Sequence, residues 1–291
     1  MTRYILLFVA LFIFPLTIYS QDADSTEQKV YKINPLIKTT SALERDAFEA
    51  AELIDNQTDN TYKKGTLEFV MNHRFGLVNN APNDNDLIGI WGAANIRLAV
   101  GYAVTDWAKV GFGSTKDKRF QEFTLKLVLL KQTKDDKFPV NISYYGNYTI
   151  DARRKENFQF TEDRYSFFNS VIFSRRFSPK FSLSATPSIS HFNLVESGEK
   201  NDIFALGFGL RYKISPKTAI ISEYTQPFGV NDNIQHGFAV GLEFYASNHA
   251  FQVFISNYRG ILAQQNIMFN QNSFFDGDFA IGFNINRLWN F

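Results

Sequence analysis

The chain has 291 residues, no cysteine, and 30 basic against 29 acidic side chains, a formal net charge of +1. Zero cysteine excludes disulfide frameworks, cysteine-ligated zinc and thiol nucleophiles. A near-neutral charge gives no reason to expect nucleic acid as a partner, which would favour a net basic face. Aromatics make up 16% of the chain, with 31 Phe, yet the mean hydropathy is only −0.20. That combination suits strands that are apolar on one side and polar on the other.

Residues 1–20 begin with Met-Thr-Arg, continue through an apolar run from Tyr4 to Tyr19, and close on Ser20. A basic start, an apolar middle and a small exit residue form a secretory signal peptide. The run is short for a membrane helix, which needs about 20 residues. Cleavage near Ser20 is therefore expected, and no cysteine follows to carry a lipid anchor. Nothing later is apolar enough for a membrane helix, so a membrane protein with this sequence must be a barrel.

Residues 21–65 form a separate segment. Its first part, to Thr40, is polar and irregular. Over 41–55 the spacing predicts a helix. Ser41 and Glu44 form a capping box, and Leu43, Ala47, Ala51 and Ile54 make a stripe between acidic residues. A turn-rich linker follows to Gly65.

From Thr66 onward the period becomes two. Leu67, Phe69 and Met71 oppose Glu68, Val70 and Asn72. Ile96, Leu98, Val100 and Tyr102 oppose Arg97, Ala99 and Gly101. Phe123, Leu125 and Leu127 oppose Glu122, Thr124 and Lys126. Phe204, Leu206 and Phe208 oppose Ala205, Gly207 and Gly209, and Phe279, Ile281 and Phe283 oppose Ala280, Gly282 and Asn284. Such runs mark strands with one apolar face. The count is about twelve: 66–75, 90–104, 107–114, 119–131, 138–151, 164–177, 181–194, 202–214, 218–228, 235–246, 250–258 and 278–291. After Arg164 both faces carry Phe. The runs reach the length a membrane strand needs, about 9 to 11 residues.

Connections alternate between short and long. The short ones lie at 105–106, 132–137, 178–180, 215–217 and 247–249. The long or polar ones lie at 76–89, 115–118, 152–163, 196–201, 229–234 and 259–277. Short periplasmic turns against longer outer loops, with an even strand number, are the pattern of an outer-membrane barrel. The predicted fold is all-β: a single antiparallel up-and-down transmembrane β-barrel of about twelve strands over 66–291, preceded by a short helical or irregular segment.

Five blocks carry a family resemblance. They run from Gly65 to Gly76, from Asn95 to Asp106, from Asn201 to Gly207, from Phe254 to Gly260 and from Gly277 to Arg287. Together they resemble an uncharacterised Gram-negative outer-membrane β-barrel family, domain-of-unknown-function family 5777, over about residues 46 to 291. The resemblance implies a barrel in the outer membrane of a Gram-negative bacterium, surrounded by outer-membrane lipid, and implies no reaction. The alternating last strand with Trp289 and terminal Phe291 has the form of the signal read by the barrel-assembly machinery. Deleting Phe291 should lower the inserted fraction measured by heat-modifiable migration.

The candidate chemistry is sparse. His73, His191, His236 and His249 show no His-x-x-x-His spacing, so neither a metal nor a cofactor is expected. An outer-membrane lipid hydrolase would need a Ser–His pair at one height, and His236 and His249 have no clear serine. Gly111-Phe-Gly113 and Gly207-Phe-Gly209 lie inside strands and complete no dinucleotide loop.

The polar parity is more informative. Arg97, Glu122, Lys126, Arg211, Glu223 and Glu243 all fall on it. Facing lipid at mid-depth, an Arg or Lys would cost roughly 2–4 kcal/mol, so these charges should line the lumen. They form either a mixed-sign constriction or a salt-bridged filling. Small inward residues such as Ala99, Gly101, Ala205 and Gly207 leave space, and a twelve-stranded barrel lies between filled and open sizes. That space is either a narrow water path or a berth for residues 21–65, whose acidic side chains would meet Arg97, Lys126 and Arg211. The expected function is a narrow channel or transport component for small polar solutes, not an enzyme. The other reading is a plugged structural barrel that docks a periplasmic partner.

Overall fold

A computed structural model describes residues 29–78, 87–246 and 248–291. The predicted signal peptide and the middle of the 76–89 connection lie outside the described residues.

The chain enters the barrel at Gly65. Its backbone is left-handed (φ 85°), and a Cβ there would lie 2.8 Å from the Phe291 carbonyl oxygen. Twelve antiparallel strands follow in order around a closed barrel. They are β1 (Thr66–Leu77), β2 (Asn95–Thr105), β3 (Ala108–Thr115), β4 (Phe120–Leu130), β5 (Asn141–Asp151), β6 (Tyr165–Arg176), β7 (Phe181–Phe192), β8 (Asp202–Ser215), β9 (Thr218–Phe228), β10 (Gly237–Ala246), β11 (His249–Ser256) and β12 (Ala280–Asn290). β12 pairs with β1, Trp289 opposite Leu67 and Asn284 opposite Asn72, and this seam removes both sheet edges. The Phe291 N–H donates to the Gly65 carbonyl, so both chain ends of the barrel share one rim.

The alternation sorts the side chains as a membrane requires. Leu98, Val100, Tyr102, Phe112, Phe123, Leu125, Phe204 and Phe244 stand exposed on the outside, while Glu68, Arg97, Glu122, Lys126 and Glu243 are buried within. That polarity is the reverse of a soluble protein and matches a barrel in lipid. Outside, Phe112, Phe123, Tyr148 and Phe167 touch in sequence, with centroids 5.2–6.3 Å apart. Arg287, on the outward parity, lies 4.8 Å from the Trp289 ring, so its charge reaches the rim over an aromatic surface.

The double-faced stretch after Arg164 has a cause inside the barrel. Phe168 and Ile172 of β6 point inward and pack with Phe120, Tyr145, Phe192 and Ile203 against Leu262, Ile267 and Met268. Those last three residues belong to the 259–277 connection, which the sequence reading placed outside as a polar loop. It folds inward instead and carries the only α-helix among the described residues, α1 (Ala263–Phe269).

The predicted helix over 41–55 does not form. Its amide groups find partners elsewhere. Glu44 N–H donates to the Gln132 carbonyl, Ala47 N–H to the Asp59 carboxylate and Ala51 N–H to the Tyr62 hydroxyl. Helix propensity over so short a segment is weak, and these partners override it.

Candidate functional site

The lumen is where the chemistry gathers, and two segments occupy it. The first comes from the rim with the short turns. Leu43 bridges Thr133, Asp46 pairs with Lys131 at 2.7 Å, and Asn34 donates to the Leu129 carbonyl at 2.7 Å. The chain then turns into the barrel as an irregular hairpin. Leu53 N–H meets the Asn56 carbonyl, and Thr58 N–H meets that of Ala51. Phe48, Leu53 and Ile54 are almost fully buried against Ile221, Ala239, Phe254 and Tyr258. Thr61 and the Lys64 N–H then bond Asp106, and the chain leaves toward Gly65.

The barrel wall grips this hairpin by its backbone. The Glu223 carboxylate accepts the N–H groups of Ile54, Asp55 and Asn56 at 3.0–3.3 Å. Arg74 and Asn284 donate to the Ile54 carbonyl at 3.2 and 2.9 Å, Gln252 to that of Glu52, and Lys126 to that of Ala51 at 2.7 Å. Burying an irregular backbone is costly unless each polar group is paired, and the lumen supplies the pairs.

All six predicted lumen residues are buried. The structure groups them differently from a single constriction. Arg97 bonds Glu122 at 2.6 Å and Glu52 of the hairpin at 3.2 Å. Lys126 holds carbonyls, not carboxylates. Arg211 binds Glu243 at 2.7 Å and has no ion pair with residues 29–65. Glu223 is the backbone acceptor already described. Sequence reasoning missed Arg74, Lys109 and Glu68, the last two ion-paired to each other. Parity carried that signal for all three. It also missed Tyr258, Gln264 and Asn266, which have no strand parity to reveal them.

The second segment descends from the opposite rim. The Tyr258 hydroxyl bonds Glu223, and Arg259 bonds the carbonyls of Phe75 and Ala93. Asn266 donates to the Asp55 carboxylate at 2.9 Å, where the two segments meet. A cavity of about 20 Å³ between them is lined by Asp55, Asn72, Arg97, Glu122 and Tyr145. It has room for roughly one water.

Burial and the neighbouring Glu223 push the Asp55 carboxyl up to about 7. Burial and Asp46 do the same for Asp59. Burial is the largest single influence on Glu52 and works to raise it, but Arg97, the Gln57 and Asn72 hydrogen bonds and Lys109 together outweigh it and hold that carboxyl down at about 2. The Ser222 hydroxyl donates to the Ala239 carbonyl, and the His236 ring rests on Tyr224 at 5.1 Å.

With this geometry in place, the comparisons fix the class. The model for the membrane-bound beta barrel domain DUF5777 matches residues 48–289, and the chain belongs to that family. The NanC porin is similar over 77% of this chain and 99% of its own, at 8% identity and a TM-score of 0.50. The COG4313 outer membrane channel from Pseudomonas putida F1 is similar over 81% and 100%, at 12% identity and a TM-score of 0.49. No curated protein sequence matches.

Proposed function

We propose that the protein is an outer-membrane channel component for small polar solutes, closed in this conformation by its own N-terminal segment and the 259–277 connection. The observation that carries this reading is the Glu223 carboxylate on three consecutive amides of the hairpin. Three consecutive amides on one carboxylate concentrate the attachment of a separate segment at a single side chain, so losing that one grip can release the segment and open the lumen. The polar interior, the membrane-facing apolar wall and the family support the same reading.

The test is bilayer conductance of the full mature chain. The unmodified protein should be quiet. Glu223→Ala leaves buried amides of residues 54–56 unpaired, at about 1–3 kcal/mol each. Two such losses would raise the open fraction on the order of 10²-fold. A silent, correctly inserted Glu223→Ala variant would argue for the plugged docking barrel.

The hairpin should also respond to pH. Asp55 faces Glu223, Arg74, Glu52, Tyr258 and Asn266, and its folded pKa is raised. A carboxyl raised on docking binds its proton in the docked state and loses it when free. Docking therefore weakens as pH climbs from about 4 to about 7, and Asp59 adds to the same trend. Glu52 acts oppositely: its depressed pKa gives a contribution that is complete above its ordinary value of 4.5 and is lost as pH falls toward about 2, so it stays constant between pH 5 and pH 8. Proteolysis within residues 41–60 of the membrane-inserted protein should be slower at pH 5 than at pH 8. Equal rates would show that Asp55 does not govern docking.

A further inference from the structure

Charge is distributed unevenly around the lumen. Arg74, Arg97, Glu122, Lys126, Glu223 and Glu243 line β1, β2, β4, β9 and β10, and each is bonded to a wall partner or to the hairpin. β6 and β7 differ. Between Ser166 and Ser174, and between Ser182 and Ser190, their inward face carries seven serines and Thr186 and no charge. Small residues alone could be mere spacers for α1, which packs over these strands. Two further observations point past that.

First, the hydroxyls of Thr186 and Ser190, 4% and 0% exposed, have no hydrogen-bond partner, and nor does that of Ser143 on the adjoining β5. Buried polar groups in native proteins are normally paired, so orphaned hydroxyls on one wall call for an explanation. Second, the wall already holds a neutral polar group. The fully buried Gln264 carboxamide of α1 donates to Asn147 at 3.0 Å and to Thr149 at 3.1 Å, and accepts from Asn147 at 3.2 Å. A neutral group that both donates and accepts fits there. Beside the hydroxyls of β6 and β7 an ion would be stripped of water with no counter-charge on those two inward faces.

We infer that the β5–β7 wall is the solute-facing side of the lumen, suited to neutral, hydroxyl-rich solutes of monosaccharide size, with Gln264 of α1 occupying their binding position until α1 withdraws. This rests on the channel reading above. The charged wall holds the hairpin, and the hydroxyl wall meets the solute.

The experiment is osmotic swelling of liposomes containing the full mature chain, with glucose, glutamate and lysine as probes. Gln264→Ala removes the carboxamide without adding charge. Swelling in glucose should rise about fivefold or more, and swelling in glutamate or lysine less than about twofold. Adding Thr186→Val and Ser190→Ala should cut the glucose rate about threefold and leave ion conductance unchanged. Leu262→Ala, which loosens α1 from its apolar side, serves if Gln264→Ala fails to insert. Equal gains for charged probes, or indifference to the hydroxyl substitutions, would overturn the inference and leave the channel standing. An inserted variant that passes neither ions nor any probe would overturn both.

Discussion

Removing residues 21–60 should convert a quiet barrel into a conducting one. The twelve-strand closure depends on strand pairing and on the β12–β1 seam, neither of which involves those residues. The barrel should therefore still insert and show heat-modifiable migration. Within the lumen the deletion takes away Phe48, Leu53 and Ile54, and with them the Glu52 bond to Arg97. The Asp55–Asn266 contact goes as well, so α1 loses its tie to the hairpin, while Tyr258 of the same β11–β12 connection still bonds Glu223. Ion conductance in the same bilayer should rise by about tenfold or more, because an aqueous gap replaces a packed segment. Salt should matter little to the intact protein. Its hairpin is held mainly through buried backbone bonds, and buried pairs are screened far less than exposed ones. Indistinguishable conductance from the two forms would make the segment an arm for a periplasmic partner.

The second large effect separates two neighbours on β8. Phe208 faces outward and Gly209 inward, opposite Tyr224 and Glu223. Phe208→Arg places a charge against lipid at roughly 2–4 kcal/mol and should sharply reduce the inserted fraction. From sequence, Gly209→Ser reads as harmless in a polar lumen. The structure changes that expectation. A Cβ at Gly209 would lie 2.9 Å from Leu53 of the hairpin and 2.5 Å from the Ser184 hydroxyl. Both atoms end movable side chains, so the barrel accommodates the change, while the hairpin is pushed off its seat. Gly209→Ser should insert normally and conduct above the unmodified protein. Equal insertion of both variants would mean that the β8 register is wrong, since a one-residue slip inverts every face.

The strands were legible because their signal is local. Period-two alternation needs only the next residue but one, and it assigned Leu98 and Phe208 to lipid and Arg97 and Glu122 to the interior without knowledge of any partner. Turn residues and the even number followed from the same pattern, and all twelve strands lie within about five residues of their expected bounds. The contents of the lumen were decided by contacts far apart in the chain. Glu223 reaches amides 167 to 169 residues away, and Gln264 reaches Asn147 across 117. No local periodicity encodes such pairings. The residues at 41–55 have the spacing of a helix, but their amides bond better to Asp59, Tyr62 and Glu223 than to one another. The polar 259–277 connection looks like a surface loop, yet Leu262, Ile267 and Met268 find an apolar patch that exists only once Phe168 and Ile172 are brought to the same inner wall. Alternation by itself determined the barrel and its two faces. Only the closed barrel, by gathering donors and acceptors from nearly every strand into one buried space, decided which segments fill it.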